Sequence, residues 1–334
     1  MDIKAIQGYL GENWLAVGKR ISDALHSDID LLNSTNESIL SHSGKQMRPM
    51  LTLLMADACS SEGIADSTIS YAAASELLHN ATLLHDDVAD GSTKRRGVPT
   101  IMSLMGPSVS VLVGDYWLVK AMDLIMDADE EDKGARVMRI FSKTLKDLAA
   151  GEMLQLQKAQ TGDTDEQDYL RIIYSKTASL FEAACVSAAM SVGAPKEYVE
   201  AARAYAVALG IAFQIQDDLF DTFGQGNVFG KKIGGDILNN KKTWLLTRAF
   251  EKAGQMRGDL LAAMNIPVTD AEHKAAKVDA VKGIYDTLGI GDDAKQEIMR
   301  LHSQALGYLK QLGLSQEKEQ LLHSYAAALI GRNK

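Results

Sequence analysis

The sequence predicts an all-α fold, and three observations carry that prediction. Only 5 prolines occur in 334 residues, aromatics make up 6% of the chain, and apolar residues recur every three or four positions along much of it. A period of three to four gathers apolar side chains on one face of a helix, and a chain rich in Ala, Leu, Met and Lys favours helix over strand. With 46% hydrophobic content the chain can bury a large core. No Pro- or Ser-rich linker divides it, so a single domain over residues 1–334 is expected.

The elements follow in order. The opening MDIKAIQGYLGENWLAVGKR is amphipathic and carries charges throughout, unlike the unbroken apolar core of a secretory signal. Helical periodicity then runs from Pro49 to Leu84 and returns over 111–126, 144–157, 177–192 and 206–220. These stretches are apolar around most of their circumference, as helices inside a large bundle are. The polar runs at 127–135, 161–168 and 224–236 read as connecting loops. No window approaches the roughly 18 uninterrupted apolar residues of a membrane span.

A net charge of -9 excludes a general nucleic-acid binder, which would carry a basic face, so local basic clusters need local anions. The two cysteines, Cys59 and Cys185, lie far apart and lack neighbours at metal-ligand spacing. They are expected to be buried thiols of a reducing, cytoplasmic protein.

One internal echo concentrates the chemistry. HDDVAD holds Asp86, Asp87 and Asp90, and QDDLFD holds Asp217, Asp218 and Asp221. Four-residue spacing stacks Asp86 over Asp90, and Asp217 over Asp221, on one helical face, where like charges repel. Aspartate is also a poor helix-interior residue, so two such clusters inside apolar helices oppose both propensity and burial. One isolated copy could be a solvated acidic face; two copies flanked by apolar helix point to a divalent cation. Carboxylate oxygens without supporting Cys favour hard Mg²⁺, which shares its shell with phosphate oxygens. Asp87 and Asp218 lie off the stacked face and are expected in supporting or solvent roles, while Asp221 fits either class.

Basic residues near glycines and presumed helix ends supply partners for phosphate: Lys45 and Arg48 in GKQMRP, Arg95 and Arg96 in KRRG, Lys176 beside Thr177 in SKT, Lys231 in GKK, and Lys241 in NKKT. Taken singly, each is a solvated surface charge; together they suffice for two diphosphates, one held through metal and one by side chains alone. His79 lies seven residues before Asp86 on the same face. That spacing alone does not separate an anion ligand from a satisfied core histidine.

In this order the motifs GKQMRP, ELLHNATLLHDDVAD, KRRGVPT, VGDYWL, GEMLQLQ, YSKTASLF, GIAFQIQDDLFD and GKKIGGDILNNKKT resemble those of the trans-isoprenyl diphosphate synthases, or polyprenyl synthetases. The resemblance spans Gly44 to Thr243 and continues weakly through KVDAVKGIYDTLGI. It implies a helical bundle of the isoprenoid synthase type around a deep central cavity, a homodimer, and the two aspartate motifs facing each other across the cavity mouth. It implies the head-to-tail condensation of isopentenyl diphosphate with an allylic diphosphate. Carried over by position, Asp86, Asp90 and Asp217 hold three Mg²⁺ ions, supported by Asp87 and Asp221. Arg95, Lys176, Lys231 and Lys241 contact the allylic diphosphate. Lys45, Arg48, His79 and Arg96 hold isopentenyl diphosphate, and Thr177 and Gln214 sit beside the carbocation. Asn240 stands where the family often has Gly, and Lys232 where it often has Pro; both bear on loop geometry.

Chain length turns on the helix before the first aspartates. Thr82, Ala81 and Leu78 precede Asp86 by four, five and eight residues, so they descend from it by about one and two turns of roughly 5.4 Å. In short-chain relatives a bulky aromatic at the position of Ala81 closes the cavity; a methyl there implies a medium or long product, such as a quinone side chain. The alternative is a farnesyl or geranylgeranyl diphosphate synthase whose floor comes from another helix, for instance through Trp117, Met122 or Leu145. A terpene synthase needs no separate isopentenyl site, which GKQMRP and the paired arginines argue against. A non-catalytic partner subunit tends to lose aspartates, and here every one is present.

Overall fold

The computed structural model describes residues 2–128, 131–161, 165–224 and 234–331. Helices dominate: α1 (Ile3–Leu25), α2 (Asp30–Leu40), α3 (Met47–Cys59), α4 (Asp66–Ala89), α5 (Ile101–Met105), α6 (Pro107–Met126), α7 (Glu131–Thr161), α8 (Glu166–Ile173), α9 (Ser179–Ser191), α10 (Lys196–Phe223), α11 (Gly235–Leu238), α12 (Trp244–Lys252), α13 (Arg257–Met264), α14 (Ala271–Leu288), α15 (Ile290–Leu309) and α16 (Gln316–Ile330). The extended structure among the described residues is a hairpin of β1 (Lys94–Arg95) and β2 (Val98–Pro99). Residues 131–135 and 166–168, expected as loop, are helical. Asp165 caps α8 by accepting the Asp168 amide at 2.8 Å, so a polar composition there marks a helix start rather than a connection.

The chain forms two compact units: residues 1–145, 180–206 and 305–334 in the first, 146–179 and 207–304 in the second. The divisions fall inside α7, α10 and α15 and just before residue 180, not in linkers, so composition carries no trace of them.

In the first unit, α3 and α4 pack together and are buried on nearly all sides, Met50, Leu51, Leu53 and Leu54 of α3 and Tyr71, Ala74, Leu77 and Leu78 of α4 all lying in the core. α6 lays Val113, Gly114, Trp117, Ala121 and Ile125 inward at helical spacing. Trp117 donates its indole N–H to Asn36 Oδ1 at 2.7 Å, and Asn36 in turn donates to the Leu25 carbonyl at 3.0 Å, so the buried polar atoms are satisfied. Tyr325 of α16 donates to the Met47 carbonyl at 2.9 Å, at the first turn of α3.

In the second unit the stretch Tyr174–Ala178 is π-helical, one residue more per turn than the α-helix around it. Two glycines make room for this wide turn. A Cβ on Gly210 of α10 would lie 2.7 Å from Ala178 Cα, and one on Gly151 of α7 would lie 2.7 Å from Ser175 Cβ. Buried side chains of this unit include Tyr169, Ile172, Leu209, Ile215, Leu245 and Leu260.

Candidate active site

α4 ends on the first aspartate motif. Asp86 is half-buried in the last turn and exposed Asp90 is the C-cap residue. The carbonyl end of a helix carries partial negative charge, so carboxylates collected there raise the local demand for a cation. At Asp87 the structure separates the two expected roles. It is 4% exposed, which excludes a solvent role, and Arg95 donates to its Oδ1 at 2.9 Å. Burial holds its carboxyl above the ordinary range, an effect that Arg95 partly offsets.

Arg95 arrives through the hairpin. Arg96 and Gly97, the two residues between the strands, both have positive φ (51° and 82°), the pattern of a tight hairpin turn whose twist matches its strands. A left-handed arginine costs roughly 1–2 kcal/mol. In return its guanidinium donates to the His42 carbonyl at 2.8 Å and lies against Gly44, where a Cβ would meet Arg96 Cζ at 2.9 Å. Gly44, at φ 78°, adopts a left-handed backbone that favours glycine, and a side chain there would also displace the Arg96 guanidinium.

Two turns below Asp86, His79 lies in the field of Arg48, Arg96 and Arg95. Burial and then these three cations hold its imidazole well below the usual pKa, so the ring is neutral. Arg48 also stacks over the Phe181 ring at 4.8 Å. Glu76, 1% exposed and hydrogen-bonded by Asn80 at 2.9 Å, lies in the field of Arg48 and Arg96. Arg48, His79, Arg95 and Arg96 thus form one basic cluster; Lys45 is exposed on the loop before α3. Leu78 and Ala81 are buried, and half-buried Thr82 donates its hydroxyl to the His79 carbonyl at 2.8 Å.

The second unit holds the other aspartate motif, on α10. Asp217 is exposed, whereas Asp218 is 1% exposed and wholly engaged by protein donors, so for it too a solvent role is excluded. Burial pushes its carboxyl up to about 6, partly offset by Lys241, whose ammonium lies 3.7 Å away. Asp221 Oδ2 accepts the Asp236 amide at 2.8 Å and its carbonyl accepts the Gly234 amide at 2.7 Å, which anchors α11. Lys241 bonds Asp236 at 3.1 Å; burial lowers its pKa, but Asp218 and Asp236 outweigh that and raise it.

Thr177 and Gln214 meet as a pair, Thr177 Oγ1 donating to Gln214 Oε1 at 2.8 Å. Lys176, from the same π-helical turn, reaches Glu152 at 2.5 Å and Gln155 at 3.0 Å. Lys231 lies outside the described residues. Sequence reasoning missed Glu152, Gln155, Tyr169, Asp236 and Glu76. Glu152 and Gln155 were within reach, three apart on one face of GEMLQLQ; Tyr169, seven residues before Lys176, is separated from it by the start of the π-helical turn.

Among the described residues no three His, Cys, Asp or Glu side chains close into a metal cage. The half-exposed pairs of hard oxygens suit Mg²⁺, which fills its octahedron with water and phosphate oxygens and seldom uses an all-protein cage.

Residues 29–284 match the family model described as polyprenyl synthetase. The octaprenyl diphosphate synthase of Escherichia coli (strain K12) is 38% identical over 250 residues, covering 75% of this chain and 76% of that one. The solved decaprenyl diphosphate synthase from Rhodobacter capsulatus superposes with a TM-score of 0.86 at 32% identity, over 99% of each chain. The polyprenyl synthase from Caulobacter crescentus CB15, solved with calcium and isoprenyl diphosphate, superposes with a TM-score of 0.87 at 28% identity, over 100% of this chain and 98% of that one.

Proposed function

The chain belongs to the polyprenyl synthetase family, and from that premise we propose that it condenses isopentenyl diphosphate head-to-tail onto an allylic diphosphate to give a medium- or long-chain trans-polyprenyl diphosphate. The observation that carries this reading at the site is the basic cluster of Arg48, Arg95 and Arg96 around a neutral His79, two turns along α4 from Asp86. Such a cluster suits a diphosphate bound through side chains alone, beside a carboxylate motif that suits one bound through metal.

In the reaction, the allylic C1–O bond breaks and its electron pair leaves with the diphosphate. The isopentenyl double bond attacks the resulting cation, forming the new C–C bond, and a proton departs to the released diphosphate. Mg²⁺, three ions in this reading, would supply Lewis-acid stabilisation of the leaving group from Asp86, Asp90 and Asp217. Lys176, Lys231, Lys241 and Arg95 bind the allylic diphosphate, with Arg95 also tied to Asp87. Lys45, Arg48, His79 and Arg96 bind isopentenyl diphosphate. The hydroxyl of Thr177 and the carbonyl of Gln214 turn oxygen dipoles toward the cation, which needs preorganised groups rather than mobile water.

Leu112, Val119 and Met126 of α6 are 67%, 55% and 42% exposed, and their seven-residue spacing makes one apolar stripe. A second copy of the chain covers it in our reading, giving a homodimer. No helix among the described residues is long and apolar enough to cross a membrane. We place the protein in the cytoplasm, in keeping with free Cys59 and Cys185.

The test is to incubate the purified chain with Mg²⁺, farnesyl diphosphate and isopentenyl diphosphate and size the products. Chains longer than geranylgeranyl diphosphate are expected. A spectrum ending there overturns the chain-length reading, and no incorporation overturns the reaction.

A further inference from the structure

Asp218 is held on both oxygens by protein donors. Its Oδ2 accepts the Tyr169 hydroxyl at 2.8 Å and the Trp244 amide at 3.1 Å, and its Oδ1 accepts Gln214 Nε2 at 3.1 Å, with the Lys241 ammonium 3.7 Å away. A carboxylate offers about four lone-pair positions, and donors from α8, α10 and α12 take three of them, with an ammonium flanking the fourth. One end of the Gln214 side chain is thereby assigned. An acceptor-only carboxylate demands the NH₂ group, and the opposite end, Oε1, is left to accept from Thr177. A reversed amide would aim its oxygen at a carboxylate and its NH₂ at the place of a developing cation.

We propose that Tyr169 is a positioning residue for the condensation: by holding Asp218, its hydroxyl fixes the Gln214 amide with the carbonyl oxygen beside Thr177. Tyr169 is 1% exposed, and burial followed by the charge of Asp218 raises its pKa well above the usual value, so it remains a donor across the working pH range. Removing that one donor leaves Oδ2 with the Trp244 amide alone, which loosens the carboxylate and, through it, the hold on the Gln214 amide. The effect falls on the step in which charge develops, not on the grip on either diphosphate. This inference rests on the reading of Gln214 and Thr177 as the groups beside the cation.

Tyr169→Phe keeps the ring and deletes only the hydroxyl. Steady-state kinetics should show kcat reduced about 10-fold with the KM for both substrates within about twofold, the pattern of a contact that matters in the transition state alone. The same substitution made in a Gln214→Met background should cause no further loss of kcat, because Tyr169 acts through Gln214. An unchanged kcat in Tyr169→Phe overturns the proposal, as does a second 10-fold loss in the Gln214→Met background. Melting curves identify any variant that fails to fold, and Asp218→Asn then supplies the same pair of measurements. If the parent protein itself does not incorporate isopentenyl diphosphate, the functional reading falls instead, which keeps the two failures apart.

Discussion

Arg95 Nε lies 2.9 Å from Asp87 Oδ1, so the middle carboxylate of the first aspartate motif is already committed to the hairpin that follows it. Asp87 is 5% exposed at its side chain and Arg95 29%, which makes this a partly buried pair whose loss strands one charge. Arg95→Ala should lower unfolding free energy by about 1–3 kcal/mol, less than for a fully buried pair. The double variant with Asp87→Asn should recover part of that loss, because the stranded charge is gone. Urea melts without metal measure both; strict additivity would mean that the two residues do not support each other.

His79 gives a pH signature. Its native pKa is depressed, so as pH falls through about 6.5 the unfolded chain binds a proton that the native chain refuses, and stability is lost. The charged groups acting on it are Arg48 from α3 and Arg95 and Arg96 from the hairpin, and these arginines do not titrate in this range. Relative to His79→Gln, the parent protein should lose about 1 kcal/mol between pH 7.5 and 5.5, since one differential proton is worth about 1.4 kcal/mol per pH unit. Equal pH slopes for the two proteins would contradict this account.

Ala81 is the proposed control on product length. Ala81→Phe inserts a ring about one turn below Asp86, at a fully buried position, and should shift the products toward shorter chains while costing about 1–3 kcal/mol of stability through overpacking. Chromatography of the labelled polyprenols checks the first effect and a denaturant melt the second. An unchanged product distribution from a folded variant would place the floor on another helix.

The stripe on α6 predicts the assembly. Leu112→Glu combined with Val119→Glu places charge on two exposed positions of that face and should convert a dimer to a monomer in light scattering, with helical content retained. A dimer that survives both changes would put the interface elsewhere.

The aspartate helices were legible because their evidence is local: apolar periodicity gives α4 and α10, and four-residue spacing gives the stacked carboxylates. Arg95 beside Asp87 was not, because the chain returns through a turn with a left-handed arginine at a position where Asn or Asp is usual. Tyr169 was hidden for a different reason. Its partner Asp218 is 49 residues away, and no pattern within either helix announces the contact. The basic residues were legible as a group, but their resting partners Asp87, Glu152 and Asp236 follow from tertiary placement alone.

The π-helical turn at Tyr174–Ala178 makes the chain longer than its path requires by one residue. Each residue advances an α-helix by about 100°, so side chains on either side of this turn are out of phase by roughly that angle. Loss of a single residue here would let the segment relax into ordinary α-helix and swing Lys176 and Thr177 away from Glu152 and Gln214, whereas most substitutions would leave their direction alone. The alignment of these two residues is thus stored in the number of residues between two helices, a quantity that point mutation cannot alter and that only an insertion or deletion can erase.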